Sequence, residues 1–220
     1  MSAISAIEPQ RRRGRYNIFV DGEFVVSVAE AVVARLNLRV GLAIASTDLA
    51  SIARAEERQN ALEAAVRALE TRPRAVREIR DKLAARGAEA DIIDDIVATL
   101  TKLGYLDDER FARAWVESRT RSRPGGPRKR RSELIAKGVD RDLIDAAVAP
   151  IGEENEVEMA RQVAAKIVRR LSDEPNERRR QVARVTGALQ RRGFGWPAVK
   201  ETIRLMGVEI ENDEGAGDDG

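Results

Sequence analysis

The sequence predicts a mostly helical protein: three tandem three-helix repeats of about 50 residues each, preceded by a small β-hairpin. Three observations point there. Aromatics make up 4% of the 220 residues and charged side chains 35%, so the core must be Ala, Val, Ile and Leu. That suits small helical units better than a sandwich or barrel. From about residue 55, apolar residues recur at i, i+3, i+4 and i+7, the helical period. Finally, Leu83-Ala-Ala-Arg-Gly87 aligns with Leu134-Ile-Ala-Lys-Gly138 and Leu189-Gln-Arg-Arg-Gly193, the glycines lying 51 and 55 residues apart. Five and six residues after each glycine comes an apolar pair: Ile92/Ile93, Leu143/Ile144 and Ala198/Val199. Ten residues after stand Val97, Val148 and Ile203. Chance rarely aligns such a pattern three times, and helical repeats bury their faces partly on their neighbours.

In chain order, residues 1–14 read as a disordered basic N-terminus carrying Arg11, Arg12 and Arg13. Within 15–55, Tyr16-Asn-Ile-Phe-Val20 and Glu23-Phe-Val-Val-Ser-Val28 flank Asp21-Gly22, a strong hairpin signal because that turn needs positive φ at both central residues. A short helix is expected over 29–36, and 50–57 leads into the first long helix. Repeat one, 56–105, carries three stripes: Ala61, Leu62, Ala65, Val66 and Leu69; Val76, Ile79 and Leu83; and Ile92, Ile93, Ile96, Val97, Leu100 and Leu103. Gly87 and Gly104 fall just past helix ends, where a left-handed residue closes the last turn. Repeats two and three occupy 106–152 and 153–207, and 208–220 reads as an acidic disordered tail.

Net charge is +2, but residues 209–220 hold six carboxylates and no Lys or Arg, so the rest of the chain carries +8. A basic body with an acidic tail suits nucleic acid or an acidic protein surface as partner; a solvated helical protein with a solubility tail is the plainer alternative. The absence of Cys and His removes disulfides, thiolate chemistry and the commonest acid–base group and metal ligand. No apolar run approaches the ~20 residues that span a bilayer, and the first residues lack a basic and then apolar leader pattern. The expectation is a cytoplasmic protein with no cofactor, no metal and no membrane.

The chain is organised around 103–138. Between residues 119 and 137 stand eight Lys/Arg and one carboxylate, Glu133. Asp107/Asp108 start a helix rather than form a catalytic pair, since acids suit its free N–H groups and dipole. Asp94/Asp95 should face solvent. Arg123-Pro-Gly-Gly-Pro127 lacks the Gly-Lys-Ser/Thr of a nucleotide loop; it breaks two helices, and its bare backbone could bring Arg128 to Arg131 close to a phosphate or carboxylate. Phe111, Trp115 and Trp196 are expected to pack. The inward stripe of the middle helix is Val76, Ile79, Leu83 in repeat one and Val182, Val185, Leu189 in repeat three. In repeat two it is Pro127, Arg130, Leu134. Burying an unpaired guanidinium is costly, so the helix tilts outward, or Arg130 snorkels, or this is a tolerated exposed edge. The arginines of repeat three, Arg178, Arg179, Arg180, Arg184, Arg191 and Arg192, extend the basic strip.

Leu103-Gly-Tyr-Leu-Asp-Asp-Glu-Arg-Phe-Ala112, the Pro-Gly-Gly-Pro link at 124–127, Leu134 and Lys137-Gly138 together resemble the core motif of the RecX family of bacterial recombination regulators. The match runs through all three repeats, roughly 57–207, and includes Arg192-Gly-Phe194. The hairpin looks like the N-terminal extension of some members. One departure is Ala75, where the family pattern has a Ser that would form a capping box with Glu78; this leaves the start of that helix open. The resemblance implies a non-enzymatic regulator that binds RecA and RecA–single-stranded-DNA filaments. Such a regulator restrains filament growth, ATP hydrolysis and strand exchange as an elongated, curved, monomeric body, with single- and double-stranded DNA as further partners. Read from the residues alone, a sequence-independent DNA-binding repeat protein without a dedicated recombinase partner is the alternative. The expected contact surface is Arg119, Arg121, Arg123, Arg128, Lys129, Arg130 and Arg131. Charge reversal at Arg128 and Arg130 is expected to weaken filament binding without unfolding the chain.

Overall fold

A computed structural model describes residues 2–11 and 14–208. Two compact units make up the chain, Met1–Leu106 and Asp107–Gly220. The first unit begins with strands β1 (Ser2–Pro9), β2 (Arg15–Val20) and β3 (Glu23–Ala29), then α1 (Glu30–Arg35) and β4 (Ala43–Ile44). These strands form one antiparallel sheet of order β3-β2-β1-β4. Asp21 and Gly22 both take positive φ, as the predicted turn requires.

Most of the stretch expected to be disordered at the N-terminus is a strand. β1 pairs along β2, Ile7 facing Ile18 and Pro9 facing Tyr16, and Ile4 is buried with Ile18, Val28 and Val32. A lone hairpin leaves the far edge of β2 unpaired and exposes its apolar face; β1 takes that edge, and Val32 of α1 packs among the sheet's apolar residues. Arg12 and Arg13 lie outside the described residues, as does 209–220, where the acidic tail was expected.

Helix α2 (Ser46–Thr71) is a single 26-residue element. Its first half buries Ile52 and Ala55 against the sheet, and its second half buries Ala61, Ala64, Ala65 and Ala68 against α3 (Val76–Ala84) and α4 (Ala90–Lys102). The expected boundary at 55/56 therefore falls inside a continuous helix. Glu56, buried near that midpoint, ties the halves together: its carboxylate accepts from Arg15 Nη2 at 2.6 Å, the Ala29 N–H at 2.6 Å and Asn60 Nδ2 at 2.8 Å. Two stripe residues are corrected. Val66 is exposed, because four small alanines rather than the larger side chain line the contact. Leu103 is also exposed; α4 ends at Lys102, Gly104 turns left-handed, and Leu106 folds in instead, its N–H reaching the Leu100 carbonyl at 3.2 Å. Helix α3 starts at Val76 despite Ala75, since Glu78 still accepts the Ala75 N–H at 3.2 Å.

The second unit holds α5 (Asp108–Ser122), α6 (Pro127–Ala136), α7 (Arg141–Val148), α8 (Glu153–Ile167), α9 (Pro175–Arg191) and α10 (Trp196–Leu205). Asp107 caps α5, accepting the Arg110 N–H at 2.8 Å. The repeat is visible at atomic detail. Gly87, Gly138 and Gly193 all have positive φ. In each case the following N–H (Ala88, Val139, Phe194) returns at 3.2 Å to the carbonyl of Leu83, Leu134 or Leu189, and all three leucines are fully buried. This is one helix-ending motif used three times. Trp196 does not pack as expected; it is half exposed on the first residue of α10, and the core of repeat three begins one turn later at Val199.

Candidate partner-binding site

The link between α5 and α6 is built on glycine. The Gly126 N–H donates to the Arg192 carbonyl at 3.0 Å, and the Arg128 N–H donates to the Gly193 carbonyl at 3.2 Å. A Cβ on Gly126 would stand 2.2 Å from the Gly193 oxygen, and one on Gly193 would stand 2.4 Å from the Lys129 nitrogen. Two breaks distant in the sequence thus form one backbone joint between repeats two and three. The first-turn N–H groups of α6 are taken by this joint and by the Gly126 carbonyl. The expectation that the Gly-Gly backbone brings the arginines close to a phosphate is corrected: that backbone faces the chain itself.

Arg130 overturns a second expectation. It is fully buried, neither tilted outward nor snorkelling, and it is not part of a contact surface. Its Nη1 lies 3.1 Å from Glu133 Oε2. Its Nη2 donates to the carbonyls of Arg119, at 3.3 Å, and Arg123. Those carbonyls lie at the C-terminal end of α5, where a cation suits the dipole; that of Arg119 also accepts the Arg123 N–H at 2.9 Å. The guanidinium therefore works as a side-chain cap joining α6 to the end of α5. Its Nε has no hydrogen-bond partner among the described residues. Glu133 Oε2 also accepts from the Trp115 indole at 3.1 Å. Trp115 is half-buried, stacked on Phe111 with ring centroids 5.9 Å apart, and Arg119 and Lys137 sit 4.3 and 4.4 Å from its ring centre.

The other expected contact residues divide. Arg119 is half-buried over Trp115, its Nε 4.0 Å from Glu133. Arg121 pairs with Glu117 at 3.2 Å and Arg131 with Asp145 at 2.9 Å. Arg123, Arg128 and Lys129 are exposed, and no described carboxylate pairs with them. The joint adds Arg192, exposed and likewise unpaired, at the end of α9. The sequence offered no signal that Arg192 and Lys129 flank the same backbone joint, because it depends on long-range contact between two glycines. Asp94 and Asp95 are solvent-facing and paired with Arg80 and Arg58, both at 2.5 Å. Among the described residues, no group of three or more acidic side chains could hold a metal ion, and no helix is long and apolar enough to cross a membrane.

Comparison with known proteins agrees with this architecture element by element. Residues 2–45 match the regulatory protein RecX N-terminal domain, and 61–100, 107–148 and 153–203 match the first, second and third RecX three-helix domains. A regulatory protein RecX of Lactobacillus johnsonii is 35% identical over 158 residues, covering 72% of this chain and 58% of that protein. The chain thus spans less than two thirds of that relative. One of Limosilactobacillus reuteri is 30% identical over 217 residues, covering 97% and 81%. A crystal structure of a regulatory protein RecX superposes with a TM-score of 0.75 at 30% identity, covering 93% of this chain and all of that one. The fold is also that of RecX from Lactobacillus salivarius, with a TM-score of 0.64 at 23% identity over 70% of this chain. The chain belongs to the RecX family of regulatory proteins.

Proposed function

We propose that this chain binds RecA and RecA–single-stranded-DNA filaments and restrains filament growth, ATP hydrolysis and strand exchange. It acts in the cytoplasm as a monomer, by binding rather than by catalysis. The observation that carries this reading is the cluster of Arg123, Arg128, Lys129 and Arg192 around one backbone joint, exposed and without described carboxylate partners. Cations neutralised by their own chain have little left to offer a partner; these four keep their charge for an acidic protein surface or phosphate. Binding through them should weaken as salt rises. The joint fixes their backbone, so less order is lost on binding.

The test is inhibition of RecA's ATPase by Arg128→Glu/Lys129→Glu beside the unaltered chain, together with binding to naked and RecA-coated single strands. The proposal expects lost inhibition with an unchanged unfolding midpoint, and preference for the coated strand. Equal affinity for both strands would instead favour a sequence-independent DNA-binding protein.

A further inference from the structure

We propose that Trp196 is a stacking platform for an unpaired base, and that Arg192 and Lys129 beside it hold phosphates of the same single strand of nucleic acid. The two tryptophans of the chain are placed in opposite ways. Trp115 is occupied: Phe111 stacks on it, Arg119 and Lys137 lie over it, and its indole donates to Glu133. Trp196 is half exposed. No described ring or cation covers it, and no described residue accepts from its indole N–H. A ring this large is more often buried, with its N–H paired. Its mount is firm. Phe194, two residues earlier, is buried in the core of repeat three. The Gly195 N–H donates to Glu156 at 2.6 Å, and Pro197 sits in the first turn of α10, where its fixed φ suits the helix. A side chain with two χ angles on such a base loses little freedom on binding.

The charge beside the ring selects the partner. Gly193 lies against the Lys129 backbone in the joint. Trp196 follows Gly193 by three residues, at most about 11 Å of chain, and Arg192 immediately precedes that glycine. Both cations are exposed and meet no described carboxylate. Sites that hold single strands without reading their sequence combine these same parts: a bare ring takes a base by its π face, and cations track the phosphates. A duplex keeps its bases stacked and would have to give one up to reach Trp196. An acidic protein surface answers the cations alone, whereas an unstacked base on its phosphate chain answers ring and cations together. The inference draws on two of the cations behind the proposed RecA binding, but its central test uses naked strands and no RecA, so the two can fail separately.

The test measures affinity for a short oligothymidine, an abasic strand of the same length and the duplex of that oligothymidine with oligoadenosine. The proteins are the natural chain, Trp196→Ala, Trp196→Phe and Arg192→Gln. Oligothymidine should quench tryptophan fluorescence in the natural chain and much less in Trp196→Phe. Trp196→Ala should bind oligothymidine roughly 5- to 150-fold more weakly, the range of base–aromatic stacking, while Trp196→Phe keeps most of the affinity. The abasic strand has no base to stack, so it should bind the natural chain and Trp196→Ala alike. Arg192→Gln should weaken binding of both single strands and flatten the fall of affinity with salt. Trp196 is exposed at a helix end, so neither substitution there should move the unfolding midpoint. Oligothymidine binding untouched by Trp196→Ala would overturn the proposal, as would an equal loss on the abasic strand or on the duplex. A Trp196→Ala protein that loses only RecA-coated strands would give the ring to a protein contact and overturn it as well.

Discussion

Arg130 holds in the second repeat the place that Ile79 holds in the first. Each stands four residues before the buried leucine of its helix end, and both side chains are fully buried. An aliphatic side chain there fills space. The arginine also joins Glu133 to the last carbonyls of α5. Removing it takes the buried cation from Glu133, which keeps the Trp115 indole, and takes a donor from the carbonyls of Arg119 and Arg123. Arg130→Ala should therefore cost about 3–5 kcal/mol, the usual range when a buried pair loses one member. Arg130→Met restores the packing that Ile79 and Val185 provide and should cost less than the alanine. Urea unfolding of the three proteins checks the order.

The three repeat glycines provide an internal control. Gly87 and Gly193 share positive φ, but a Cβ meets nothing within 4 Å at Gly87 and lies 2.4 Å from the Lys129 nitrogen at Gly193. Gly87→Ala should cost only the left-handed strain, about 1–2 kcal/mol. Gly193→Ala should cost a further 1–3 kcal/mol or so for overpacking the joint. Calorimetric midpoints of the two variants measure the difference; equal shifts would mean the joint yields.

Much of this architecture is legible in the sequence, since periodicity and turn chemistry are local. The Leu-x-x-x-Gly endings, the Asp21-Gly22 turn and the anomaly at Arg130 are all read from residues close together in the chain. What that reading misses is long-range. β1 is ordered by pairing with β2, a contact no local pattern announces. Near the middle of α2, Glu56 meets Arg15 and Ala29 from the sheet, partners 41 and 27 residues away in the chain. Arg130 reads as unpaired in the sequence, yet it meets Glu133 three residues on and two backbone carbonyls whose position follows only from where α5 ends. The candidate contact surface shrinks for the same reason: charge density along the chain does not say which cations meet their own acids.

Glu56 is the corresponding polar anchor of the first unit, shielded from solvent and bonded to Arg15, Ala29 and Asn60. Glu56→Ala should destabilise that unit by about 3–5 kcal/mol, because Arg15 is left partly buried without its counter-charge. Hydrogen exchange should report it as lost protection at the Ala29 amide, with repeat three unaffected.

Asp21 links the hairpin turn to β1. Its carboxyl is held below the ordinary aspartate range, first by accepting the Ala3 N–H and then by the Ser2 side chain. A lowered folded-state pKa means this contact stabilises above the unfolded-state value and is lost as pH falls through the lowered one. The Ala3 amide shift should therefore move only below about pH 4. Asp21→Asn should abolish that titration while keeping the turn, since Asn tolerates positive φ.

The sharpest measurement compares Arg128→Gln with Arg130→Gln, an identical loss of one charge two residues apart on α6. Unfolding midpoint and affinity for RecA-coated single strands would be determined for each. Arg128→Gln should weaken binding with its midpoint unchanged, whereas Arg130→Gln should lower the midpoint. Equal losses of binding with both midpoints unchanged would place Arg130 on the surface and contradict its burial.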